Sequence, residues 1–198
     1  MSDEQPGPGR PRDPDLDLAI LTAARAHLAA NGYDAMSVVA VAAEAGTTRQ
    51  AVYRRWPTKA DLATAAIASL SEAAERPATD DPFHDLVEEL TAFHRGVSRP
   101  NGVSMVGSML QDATDPELKK LYRRRLVEPR RARLRAILER GVDAGQLDAD
   151  ADLDTAVAVC TGTLYAQHLT GKRLRTSWAE DTATFVWRAL GGATPTRL

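Results

Sequence analysis

The dipeptide Asp-Pro occurs at Asp13-Pro14, Asp81-Pro82 and Asp115-Pro116, and each time an apolar pattern with helical spacing follows. An Asp carboxylate accepts hydrogen bonds from the first unpaired N–H groups of a helix. Pro fits the first helical position, where its missing N–H costs nothing. Local chemistry therefore sets three helix starts. Alanine, the best helix former, is abundant, aromatic residues make up only 5% of the chain, and no stretch alternates as a half-buried strand would. The expectation is an all-α protein.

The first helix is predicted over 14–30, with a stop at Asn31-Gly32. Ser37 caps a short second helix ending at Ala45-Gly46, and Thr48 caps a third ending near Trp56-Pro57. Thr58-Lys59-Ala60-Asp61 has the form of a capping box and opens a fourth helix running to about residue 75. Residues 77–80 read as a linker. Further helices are predicted over 82–98, 103–112, 116–140, 152–170 and 177–190. Pro129 should kink the long one, and Ser177-Trp178-Ala179-Glu180 should cap the last.

Several classes of protein are disfavoured. Cys160 is the only cysteine, so neither an internal disulfide framework nor a cysteine-rich zinc site can form. The polar, Pro/Gly-rich residues 1–12 do not resemble a signal peptide and are expected to be a disordered arm. The longest uncharged run, 155–171, is too short and polar to span a membrane. A cytoplasmic protein with no metal or cofactor is expected. The net charge of −2 gives no sign of nucleic acid binding, so local charge must carry that argument.

Three short helices fill residues 14–56, and Ala45-Gly46-Thr47 links the second to the third, with Gly46 free to adopt the left-handed backbone of a tight turn. This is a helix-turn-helix layout. Residues 49–59 carry Arg49, Arg54, Arg55 and Lys59 with no acid, the electrostatic footprint of phosphate contact. Arg and Gln also form bidentate hydrogen bonds to guanine and adenine edges.

The stretch Val41-Ala42-Ala43-Glu44-Ala45-Gly46-Thr47-Thr48-Arg49-Gln50-Ala51-Val52-Tyr53-Arg54-Arg55-Trp56-Pro57-Thr58-Lys59-Ala60-Asp61-Leu62 resembles the signature of the tetracycline-repressor family. Thr47, Thr48, Ala51 and Trp56 are mild departures from it. The resemblance implies that Thr48, Arg49, Gln50, Tyr53, Arg54 and Arg55 face double-stranded DNA, that Lys59 anchors a phosphate, and that Ser37 contacts the backbone. Val41, Ala42, Val52, Trp56 and Leu62 match the small core. Arg10 and Arg12 in the arm are candidates for an A·T-rich minor groove. The implied organisation is an arm over 1–12, a helix-turn-helix domain over 13–58, a ligand-binding and dimerisation domain over 59–192, and a tail over 193–198.

In the second domain, residues 119–140 carry ten Lys/Arg against two Glu. A solvated face, partly neutralised by Asp143, Asp148, Asp150, Asp152 and Asp154, is the plain reading; a second nucleic-acid surface and an acidic effector are the alternatives. Segment 152–170 is apolar on two faces, as a helix meeting both its own domain and a partner should be. Val157, Cys160 and Leu164, with Ala183, Trp187 and Leu190 of the last helix, are expected at a homodimer interface. A two-fold dimer matches a palindromic operator. Phe83, Leu86, Leu90, Phe93, Met105, Met109, Leu110, Leu121 and Tyr122 are candidates to line a pocket for a small-molecule effector of unknown identity, unless they are plain core. His84, His94, Tyr165 and His168 are candidates to orient the ligand. The function implied is a regulator, most simply a repressor released by ligand. An activator, a regulator without ligand, a helical enzyme and a partner-binding protein are the alternatives. No triad, phosphate loop or metal constellation supports an enzyme.

Overall fold

The computed structural model describes residues 13–69, 77–98, 106–107, 109, 116–171 and 173–193, and among them every regular element is a helix. The order is α1 (Pro14–Ala35), α2 (Val38–Glu44), α3 (Arg49–Arg55), α4 (Lys59–Ala68), α5 (Pro82–Ser98), α6 (Pro116–Tyr122), a π-helical turn (Arg123–Val127), α7 (Glu128–Asp143), α8 (Leu153–Leu169) and α9 (Trp178–Ala189). Val106, Gly107 and Met109 are also helical; the rest of the helix expected over 103–112 lies outside the described residues.

The predicted caps explain most of these boundaries. Asp13 accepts from the Asp15 and Leu16 amides, Asp81 from His84, Ser37 from Ala40 and Thr48 from Ala51. The stop at Gly32 is visible as a residue with φ 73° that interrupts α1. The expected box at Ser177 does not form: its hydroxyl donates to the Asp181 carboxylate, 2.9 Å away, and caps no backbone amide. Asp181 one turn on outcompetes Glu180. The kink expected at Pro129 takes the form of the π-helical turn before it. Pro cannot donate to the residue four back and clashes with that carbonyl, so the chain widens by one residue and restarts with Pro in the first turn of α7.

Two apolar clusters hold the fold together, and they cut across chain order. The first joins Ile20, Ala24 and Leu28 of α1, Val41 and Ala42 of α2, Val52 of α3 and Leu62, Ala63 and Ala66 of α4 to Leu118, Leu121 and Leu126 from the middle of the chain. The second joins α5, α7, α8 and α9 around Leu86, Leu90, Phe93, Leu134, Leu138, Leu164, Trp178 and Trp187. Each fully buried Leu contributes about 1.5–3 kcal/mol. The widened turn at 123–127 is the passage between them, leaving Leu126 in the first and Leu134 in the second. Where α7 meets the end of α9 the backbone comes close: a Cβ on Gly141 would stand 2.8 Å from Leu147 Cδ1 and 2.9 Å from Trp187 Cη2.

Candidate functional site

The turn between α2 and α3 is built by its glycine. Gly46 sits at φ 66°, its amide donates to Ala43 O at 3.1 Å, and the Thr47 amide donates to Ala42 O at 2.9 Å. Together these close a helix C-terminus that a Cβ would strain. Thr48 then starts α3. On a helix of 3.6 residues per turn, positions 49, 50, 53 and 54 fall on one side and 52 and 55 on the other. Val52 is fully buried, whereas Thr48, Arg49, Gln50 and Arg54 are exposed. The Arg49 guanidinium stands 5.2 Å from the half-buried Tyr53 ring, a cation–π contact that orients both.

Arg55 was expected beside them and is not. Its Nε donates to the Asp17 carboxylate of α1 and its Nη1 to Ala51 O at 3.2 Å. Only 8% of its side chain is exposed. Arg55 fastens α3 to α1 and does not share the exposed face of Arg49 and Arg54. Lys59 is likewise engaged: its Nζ donates to Asp34 O at 2.9 Å and lies 4.6 Å from the Tyr33 ring centroid, clamping the start of α4 onto the end of α1. Ser37 is exposed beside its capped amide. Arg10 and Arg12 lie outside the described residues.

The start of α4 is also tied to the body behind it. Thr58 Oγ1 donates to Asp61 Oδ2 at 2.8 Å and accepts the Asp61 amide at 3.0 Å. Arg125 Nη2, from the π-helical turn, donates to Asp61 Oδ1 at 2.8 Å. Burial alone would raise the Asp61 carboxyl; the bonds from Thr58 and Arg125 outweigh it and hold the group below its ordinary value.

The basic segment behind it is largely paired, mostly with acids distant in sequence. Arg133 donates twice to Glu89, at 3.1 and 2.9 Å. Arg140 binds Asp85 and Thr79 O. Arg135 bridges Glu139 and Asp154. Of the five aspartates expected to neutralise this face, Asp154 is the one that forms an ion pair with it.

Between α5, α7, α8 and α9 lies an aromatic group. Phe93 meets Tyr165 edge-on at 6.0 Å and Trp178 at 6.1 Å; His94 stands 5.6 Å from Trp178. The Arg130 guanidinium covers the Phe93 face at 4.6 Å. Burial pushes the Tyr122 and Tyr165 hydroxyls up, against a pull from Arg130, so both are O–H donors at neutral pH. The Trp178 indole N–H is buried without a hydrogen-bond partner. Four expected ligand residues, Phe93, His94, Tyr122 and Tyr165, thus come together. Leu86 and Leu90 are fully buried core, and Phe83 packs edge-on against Trp187 at 5.5 Å. Met109 packs on the first cluster. His168 is exposed and cannot line an enclosed site. Met105 and Leu110 lie outside the described residues. Arg130 and Trp178 were not anticipated: the first was hidden in a run of arginines, the second read only as a helix start.

The expected dimer residues need correction. Val157, Cys160, Leu164, Ala183 and Trp187 are at most 2% exposed and Leu190 is 8% exposed, all within the chain's own second core. They hold the subunit together and have no surface left to offer. The outward face of these helices carries Ala158 and Gly162 of α8 and Phe185 of α9, the last 64% exposed. A shallow groove beside it is lined by Thr155, Val159, Phe185 and Ala189. Among the described residues no cluster of His, Cys, Asp or Glu could hold a metal ion, and no helix is long and apolar enough to cross a membrane.

Comparison with known proteins bears on both halves of the chain. Residues 20–66 match the family described as bacterial regulatory proteins, tetR family, and residues 76–186 match the tetracyclin repressor-like C-terminal domain. The HTH-type transcriptional regulator YdeS of Bacillus subtilis is 29% identical over 177 residues, covering 87% of this chain and 88% of YdeS. The DNA-binding transcriptional repressor TetR of Mycobacteroides abscessus is 30% identical over 166 residues, 74% of this chain and 80% of that protein. Among solved structures, the transcriptional regulator FadR from Bacillus subtilis superposes with a TM-score of 0.64 at 17% identity, over 89% of this chain and 99% of FadR. The all-helical fold, the exposed cationic helix after a glycine turn and these matches agree: the chain belongs to the TetR family of DNA-binding transcriptional regulators.

Proposed function

We propose that this regulator is a cytoplasmic repressor that binds a palindromic operator as a homodimer and is released by a small molecule. The observation that carries the reading is α3: one side is locked by Val52 and by the Arg55–Asp17 pair, while Arg49, Gln50 and Arg54 project into solvent. A rigid helix with donors on its free face suits the major groove, where Arg reads guanine and Gln reads adenine. Thr48, Tyr53 and Ser37 supply backbone contacts around it, and Arg10 and Arg12 extend them into the minor groove.

Dimerisation is assigned to the outward faces of α8 and α9. Small residues at 158 and 162 permit close helix approach, and an exposed Phe185 beside a groove invites a second copy related by a two-fold axis. Ligand response is assigned to the aromatic group around Phe93, His94, Tyr122 and Tyr165. FadR, which has this fold, was crystallised with stearoyl-CoA. Occupation of the group would displace α6 and the π-helical turn, which hold α4 through the first cluster and the Arg125–Asp61 pair, changing the spacing of the two recognition helices. A coupling of about 1–3 kcal/mol suffices for a 5–150-fold loss of affinity.

Selection of bound fragments from genomic DNA, followed by titration at fixed salt, tests the reading. Arg49→Ala with Arg54→Ala should abolish operator binding and leave the dimer intact. Retained binding, or a non-palindromic site bound by a monomer, rejects it.

A further inference from the structure

The cations of residues 119–140 do not all find acids. Arg125 pairs with Asp61, Arg133 with Glu89, Arg135 with Glu139 and Asp154, and Arg140 with Asp85. Lys120, Arg123 and Arg124 are exposed, and among the described residues their side chains take part in no ion pair or hydrogen bond. Glu117 and Glu128, the acids of the same stretch, are also exposed and pair with none of the three. Leu118, Leu121 and Leu126 turn into the first cluster. Lys120 and Arg124 are four residues apart and Arg123 is three from Lys120, so the trio shares the other side. Its position follows from the next residue. Arg125 Nη2 reaches Asp61 Oδ1 at 2.8 Å, and Asp61 is two residues past Lys59, about 3 Å along the axis of α4. The start of α4 follows directly on α3. The trio is therefore carried at the edge of the DNA-binding unit, although it belongs to the middle of the chain.

We propose that Lys120, Arg123 and Arg124 form a second phosphate-binding surface, which takes the backbone of the same duplex outside the stretch that α3 reads. Duplex DNA carries one negative charge per roughly 1.7 Å of axis, and a backbone engaged by α3 continues past it on both sides. Contacts of this kind add affinity and fix orientation without sequence preference. An acidic protein is the weaker match, because the trio has no apolar neighbour to form the core of such an interface: among the described residues the exposed large apolar side chains are Leu18, Val39, Leu169 and Phe185, all on other helices. The inference rests on DNA binding by the chain and goes beyond the role given to α3.

Fluorescence anisotropy of the full-length protein between about 50 and 200 mM salt tests it, with two labelled duplexes of equal length: a fragment selected from genomic DNA and its scrambled sequence. The fall of log affinity with log salt should be shallower in Arg123→Gln/Arg124→Gln by about 1.8, for two phosphates lost, and equally so on both duplexes. Lys120→Gln alone should reduce the slope by about 0.9 and carries the test if the double variant loses helicity. Arg173→Gln/Arg175→Gln removes the same charge from exposed positions before α9 and should keep the parent slope. The proposal is overturned, and the trio is a solvated face, if Arg123→Gln/Arg124→Gln keeps the parent slope or if the control lowers it as much. Comparing the duplexes separates this surface from the operator reading. A parent that binds both duplexes equally, with a slope that depends on Arg123 and Arg124, upholds the surface and sinks the operator. A parent that prefers the selected fragment, with a slope indifferent to them, does the reverse. A parent that binds neither duplex sinks both.

Discussion

Replacing Arg55 by Ala should destabilise the protein without removing a DNA contact, and replacing Arg49 by Ala should do the opposite. Both residues belong to one cationic helix of only seven residues, so sequence offers no reason to treat them differently. The structure does: Arg55 is 8% exposed and bonded to Asp17 and to Ala51 O, while Arg49 is exposed. Removing one member of a buried ion pair costs about 3–5 kcal/mol, because the other charge is stranded. Asp17 keeps 25% of its side chain in water, which recovers part of that loss. A cost of about 2 kcal/mol is expected, or roughly 4–8 °C in Tm for a chain of this length. Arg49→Ala should change stability by less than about 0.5 kcal/mol and weaken operator binding by about 1–3 kcal/mol if it reads a base. Urea denaturation followed by circular dichroism measures the first quantity, and fluorescence anisotropy with labelled operator at constant salt measures the second. Asp17→Ala combined with Arg55→Met, which removes both charges, should recover most of the stability lost in Arg55→Ala. An Arg55→Ala protein with an unchanged denaturation midpoint and no operator binding would refute the argument, since it would mean that Arg55 points outward in solution.

Phe185→Glu should convert the proposed dimer to a monomer in sedimentation equilibrium at unchanged helicity, whereas Trp187→Ala, two positions away but buried, should cost about 3–5 kcal/mol of stability. Asp61 is held below its ordinary carboxylate value of 3.8, so its contribution to stability is complete above about pH 4 and is lost as pH falls through the lower, folded-state value. Asp61→Asn should therefore flatten the acid limb of the stability profile below pH 4 and leave its neutral-to-alkaline part parallel to the parent's, as followed by urea midpoints. Burial pushes the Cys160 thiol up to about 12, against a smaller pull from a backbone hydrogen bond. Iodoacetamide should then leave the folded protein unlabelled at pH 8 and react at the rate of global unfolding in urea.

The sequence was most informative where structure is decided within a few residues. Asp13, Ser37, Thr48, Thr58 and Asp81 cap the helices they precede because each carboxylate or hydroxyl finds its amide two or three positions along. Gly46 likewise turns the chain through its own backbone. The exposed face of α3 was readable for the same reason, Arg55 excepted: its partner Asp17 lies 38 residues away, and nothing local distinguishes it from Arg54. The face of α8 was misassigned because the helix is apolar and small-chained on both sides. Val157, Cys160 and Leu164 look no more like core than Ala158 and Gly162 look like surface, and contact with α9 decides between them. The arginines of 119–140 could be counted but not paired, since Asp61, Asp85 and Glu89 reach them only once the chain has folded back.

The reading head borrows part of its floor from a segment in the middle of the chain. Leu118, Leu121 and Leu126 sit beneath α1 and α4, so the unit that touches the operator is not a cassette that can be lifted out at a single cut. A hybrid regulator made by grafting residues 13–69 onto a foreign sensor would arrive with three leucine-sized holes in its base, and its specificity would drift with whatever the host packed into them. Transplanting 116–126 together with the N-terminal helices would carry both the lining and the Arg125 tether, so a designer of new sensor–operator pairings should treat the two stretches as one part.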